Sequence, residues 1–73
     1  MATIREHDLV VLTTDVPSAK LSAGDVGTVV HVYGEGEAFE VEFVTRHDET
    51  CAVTTLERHQ VRPAQERELS HVR

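Results

Sequence analysis

The sequence predicts an all-β fold of five short strands, and three observations carry the expectation. Residues 8–62 alternate short β-rich runs with turn-forming residues. One run, Ala38-Phe39-Glu40-Val41-Glu42-Phe43-Val44, alternates apolar and acidic residues with a strict period of two, as a strand with one buried and one wet face must. The chain has 73 residues, of which 40% are hydrophobic, so it is one small domain with a thin core. Below about 70–80 residues such a core rarely supplies more than roughly 3–5 kcal/mol.

The elements follow in order. Leu9-Val10-Val11-Leu12-Thr13 is β-branched and too short for a stable helix, so it reads as a first strand, stopped by Asp15-Val16-Pro17-Ser18. Residues 18–23 form a connecting loop with Leu21 as its apolar anchor. Gly24, Asp25 and Gly27 make a tight turn that feeds a second strand, Thr28–Tyr33, and at least one of the two glycines should have positive φ. Gly34-Glu35-Gly36-Glu37 is the hairpin turn into the alternating third strand. Arg46-His47-Asp48-Glu49 is the next turn, and Thr50–Leu56 a fourth strand whose inward face the pattern leaves open. Glu57-Arg58-His59-Gln60 suits one helical turn, with Val61-Arg62 as a last short strand before Pro63. Five strands with a helical turn before the last fit a small SH3-like barrel over residues 1–62. Residues 63–73 read as a polar tail, frayed or briefly helical. The expected core is Val10, Leu12, Val29, Val32, Phe39, Val41, Phe43, Leu56 and Val61.

Charge narrows the partners. Thirteen acids against seven bases give a formal charge of −6, which repels phosphate backbones and anionic membrane surfaces and argues against nucleic acid. No run of about 18 apolar residues is present, and Met1–His7 lacks an apolar signal-peptide core. The expected setting is the cytoplasm, without a membrane, and the single cysteine, Cys51, excludes an intrachain disulfide.

Asp8–Thr13, Leu21–Val30 with its Gly24-Asp25-Val26-Gly27-Thr28-Val29 segment, Phe39-Glu40-Val41-Glu42-Phe43, Leu56 and Val61-Arg62-Pro63 together resemble the small bacterial family called domain of unknown function 4926. The likeness covers roughly residues 6–63. The glycine segment is also similar to KOW-type RNA-binding modules and to the barrel of the nitrile hydratase beta subunit. The resemblance implies the barrel and no reaction. The hydratase likeness brings no metal site, since the cobalt or iron centre of that enzyme belongs to its other subunit.

The constellations that could carry chemistry are weak. His47 and Cys51 stand as H-x3-C, with His7, His31 and His59 elsewhere, but no CxxC or HxxxH pair occurs, so neither a metal nor another cofactor is expected. Cys51 lacks the adjacent base and cleft that a nucleophile needs. Glu35, Glu37, Glu40 and Glu42 offer no apolar surroundings to split a pair of carboxylate pKa values for acid–base catalysis; they read as a solvated acidic face able to dock a partner. Gly24-x-x-Gly27 lacks the lysine and following helix of a phosphate loop. RNA recognition wants exposed aromatics among cations, yet Phe39 and Phe43 belong to the core face, leaving Tyr33 and a scatter of Arg46, Arg58, Arg62, Arg67 and Arg73. The expectation is a non-catalytic protein-interaction module, a small accessory or immunity-type protein. It would bind a protein partner, or itself as a homodimer or larger assembly, through the acidic face or a strand edge. The alternatives are a KOW-like RNA-binding module and an accessory subunit of a nitrile-hydratase-like enzyme.

Overall fold

The computed structural model describes residues 3–44 and 51–65. Five strands form one antiparallel sheet: β1 (Leu9–Leu12), β2 (Val26–Tyr33), β3 (Ala38–Val44), β4 (Cys51–Glu57) and β5 (Val61–Pro63). Their order across the sheet is β4-β3-β2-β1-β5. A 3-10 turn, Arg58–Gln60, redirects the chain after β4, so that β5 returns antiparallel to β1. This is the expected SH3-like arrangement, with β4 and β5 as the two edges of the sheet. Among the described residues no helix is long and apolar enough to cross a membrane. The turn expected over Arg46–Glu49, Thr50 and the tail beyond Gln65 lie outside the described residues, as does the side chain of Cys51.

One cluster forms the core: Val10, Leu12, Leu21, Val29, Phe39, Val41, Phe43, Leu56 and Val61, all buried. Val32, expected among them, is only half-buried and packs against the cluster from its rim. The pairing of β2 with β3 shifts register between Val29 and His31, leaving Val30 as an extra residue. Such a bulge is what allows Val29 and Val32, three apart, to lie on the same side of a strand whose side chains otherwise alternate. In β4 the register resolves the inward face: Ala52, Thr54 and Leu56 stand opposite Phe43, Val41 and Phe39, and Val53 and Thr55 point out. Val11 is also buried, outside the core cluster, opposite Val26 on one side and Arg62 on the other.

Leu21 anchors the first loop as expected. Its backbone exchanges both hydrogen bonds with Val16, at 2.9 and 3.1 Å, across a 3-10 turn at Pro17–Ala19. The tight turn that follows belongs to Gly24 and Asp25. Gly24 has φ +98°, where a β-carbon is strained, and the Asp25 carboxylate accepts the Ser22 N–H at 2.9 Å. Gly27 does not share this role. It lies within β2, outside the positive-φ glycines, and is a glycine because of what faces it. The helical turn is closed at its start by a reciprocal cap in which the Glu57 N–H donates to the Gln60 side chain at 2.8 Å. Pro63, placed at the head of the tail by the sequence, is the last residue of β5 and pairs with Val10.

Candidate functional site

The outer face of β2, β3 and β4 carries the side chains best placed for recognition. Cross-strand register lays them out in rows. One row runs Thr55, Glu40, His31 across β4, β3 and β2; the next runs Val53, Glu42, Thr28 and on to Leu9 of β1. The β2 bulge turns Val30 and His31 out together, so a large apolar side chain joins this face beside the polar row. Among the described residues Leu9, Val30, Tyr33 and Val53 are the exposed large hydrophobics, and Val53 is the most open of them at 55%.

Glu40 is the hub of the polar row. The same carboxylate oxygen, Oε2, accepts the hydroxyls of Tyr33, at 2.8 Å, and of Thr55. Hydrogen bonding from Thr55, then from Tyr33, with a smaller favourable contribution from His31, holds the Glu40 carboxyl below its ordinary value against the opposing effect of desolvation. The same contact pushes the Tyr33 phenol up, since it donates to a carboxylate and cannot do so once ionised; desolvation and the Glu40 charge add to this. The His31 ring meets Tyr33 edge-on at 4.7 Å between centroids, and its Nδ1 lies 3.9 Å from the Glu6 carboxylate.

Of the acidic residues singled out in the sequence, Glu40 and Glu42 share this face, whereas Glu35 and Glu37 sit in the hairpin turn between β2 and β3. There the Glu37 N–H donates to the Tyr33 carbonyl and the Glu37 carbonyl accepts the Arg58 N–H. Glu40 is therefore held in a fixed orientation through one of its two oxygens. The sequence does not announce its attachment to Tyr33 and Thr55, which depends on the register of three strands and a bulge. Gly24 and Asp25 form the turn that leads into β2, and Gly27 lies within that strand. Among the described residues no group of three or more His, Cys, Asp or Glu side chains is gathered for a metal ion.

The Glu40 contacts set a pH dependence of known sign. Glu40 has a lowered folded pKa, so its contribution to stability is present above the unfolded value and lost as the pH falls through the folded one. Tyr33 has a raised folded pKa, so its contribution is complete below the unfolded value and lost as the pH rises through the folded one. Tyr33 is the one tyrosine and there is no tryptophan, so phenolate absorbance reports it alone. We expect Tyr33 to titrate above its ordinary 10.0 in the native chain and closer to it in Glu40→Gln. An unchanged titration in that variant would mean the phenol does not depend on Glu40.

A small SH3-like barrel with a mixed acidic and apolar outer face defines the class of protein. The sequence model of the family described as Domain of unknown function (DUF4926) matches residues 6–63, and the chain belongs to that family. The matched stretch runs from Glu6, beside His31, to Pro63, the end of β5, and so includes all five strands. No curated protein and no solved structure matches the chain.

Proposed function

We propose that this protein is a non-catalytic interaction module, a small accessory or immunity-type protein of the cytoplasm. Its outer sheet face takes a protein surface that is cationic and partly apolar. The observation that carries the reading is the exposure of Val30, Tyr33 and Val53 on the face that also holds Glu40 and Glu42. Apolar side chains supply contact area, and the carboxylates in a chain of net charge −6 favour cations. Glu40, fixed by two hydroxyls, is a pre-oriented acceptor with Oε1 free of those two bonds. The KOW-like alternative loses its aromatic platform, because Phe39 and Phe43 are buried and Tyr33 is the remaining aromatic.

Calorimetric titration with a peptide alternating lysine and leucine, and with single-stranded RNA, at two salt concentrations tests the reading. The peptide should bind, more weakly at the higher salt, and binding should be lost in the Glu40→Gln, Glu42→Lys double variant. RNA should show no more than weak non-specific binding. RNA binding with a steep salt slope, or a peptide indifferent to both substitutions, would overturn it.

A further inference from the structure

The two edges of the sheet differ in a way that points to an occupant for one of them. β5 is three residues long and holds Arg62 and Pro63, and a short edge strand with a proline is poorly suited to accept another strand. β4 is seven residues long, Cys51-Ala52-Val53-Thr54-Thr55-Leu56-Glu57. It pairs with β3 without a bulge over its whole length, and among the described residues no strand lies on its other side. It contains no proline and no lysine, and its inward positions carry no charge. Shortness and a proline, two devices that blunt an edge strand, are thus present on β5 and absent from β4.

We propose that the β4 edge is the docking site for β4 of a second copy of this chain. The two strands run antiparallel about a two-fold axis at Thr54. The inference goes beyond the acidic-face reading: it uses the strand edge in place of the outer face, and its partner is a second copy of this chain. The register is self-complementary. A two-fold at Thr54 pairs all seven residues, setting Val53 opposite Thr55 of the other copy, Ala52 opposite Leu56, and Cys51 opposite Glu57. Val53, the most exposed large hydrophobic among the described residues, then gains the Val53 of the second copy as its diagonal neighbour.

Charge, which opposes self-association of a −6 chain in general, does not oppose this register. Glu42 lies behind Val53 and Glu40 behind Thr55. The row across the interface is therefore Glu42, Val53, then Thr55 and Glu40 of the second copy. Its carboxylates stand three strand spacings apart, roughly 14 Å, beyond the Debye length of about 8 Å at physiological ionic strength. The two Glu57 residues fall at opposite ends of the ladder, about 20 Å apart. Ten strands joined edge to edge would also support a core too thin to be robust alone.

Sedimentation equilibrium on the full chain tests this, with amide exchange as a second measurement. The wild type should sediment at about twice its 8.1 kDa, and added salt should strengthen the dimer, the opposite of its effect on the cationic peptide. Val53→Lys places two ammonium groups diagonally across the axis and should sediment as a folded monomer, with the cooperative melt retained. Alternate β4 amides should be protected in the wild type and lose protection on dilution, which decides the matter even if Val53→Lys unfolds. A wild type that is monomeric at every concentration, a Val53→Lys dimer as tight as the parent, or β4 amides unprotected in a dimer would overturn the proposal. A monomer that still binds the peptide refutes the dimer alone; a dimer indifferent to the peptide refutes the acidic-face reading alone.

Discussion

Phe43→Ala should leave the chain unfolded at room temperature. Phe43 is 2% exposed and stands on β3 opposite Ala52, a small residue that leaves the ring to fill the space between the strands. Its ring also lies against the backbone of Gly27 on β2. Removing it deletes apolar burial and opens a cavity that two paired strands on either side have little freedom to close. A buried phenylalanine truncated to alanine costs roughly 3–5 kcal/mol, and a domain this small rarely has more than about that to lose. Urea denaturation followed by far-ultraviolet circular dichroism, at fixed protein concentration, checks the expectation. A variant with a sigmoidal transition at the parent's midpoint would mean that the β3 inward face does not carry the core.

The residues that made the fold legible are those in which polarity and period agree. β3 alternates phenylalanine and valine with glutamate, and its buried face is the one the alternation predicts. Leu21 stands alone as an apolar residue between turn formers, and it is buried. β4 shows the opposite case. Ala52, Val53, Thr54 and Thr55 are all acceptable on either face, so polarity says nothing, and only the register against β3 turns Thr54 in and Val53 out. In β2 the run Val29-Val30-His31-Val32 conceals a bulge, because consecutive apolar residues mask the loss of alternation. Val32 was expected in the core on the same grounds, but past the bulge it reaches only the rim, near Ile4.

The candidate site was legible to a similar depth. Glu40 and Glu42 are acidic residues on the wet side of an unmistakable strand, and the structure keeps them there. What Glu40 does on that face depends on residues distant in the chain, Tyr33 seven positions before it and Thr55 fifteen after. Their hydroxyls meet at one oxygen only because β2 and β4 flank β3 in this register. Local sequence holds no trace of such a three-strand contact. Glu35 and Glu37, in contrast, were grouped with Glu40 by charge alone, and the hairpin carries them off the sheet face.

Gly27→Ala should destabilise the barrel by about 1–3 kcal/mol, the usual cost of forcing an extra methyl group into a filled core. The two glycines of the Gly24–Gly27 segment are there for different reasons. Gly24 has positive φ but nothing within 4 Å of where a β-carbon would stand, so alanine there meets backbone strain and open space. At Gly27 the backbone is unremarkable and the space is taken. A β-carbon would lie 2.6 Å from Val41 Cγ1 and 2.7 Å from Phe43 Cε2, well inside contact distance. Both neighbours are core residues, Val41 fully buried and Phe43 nearly so, and neither side chain has solvent to swing into. The substitution must therefore displace β2 from β3 or force a side chain off its rotamer. If the Phe43 ring is the main obstacle, Phe43→Leu should relieve part of the damage, and the double variant should be more stable than the sum of the two losses implies. Coupling of roughly 0.5–3 kcal/mol is typical of residues in direct contact, and Val41, which remains, limits the relief. Urea midpoints of the parent, the two single variants and the double variant close the cycle. Strict additivity would show that the two residues do not share that space, and the account of Gly27 as a spacer beneath Phe43 would fall.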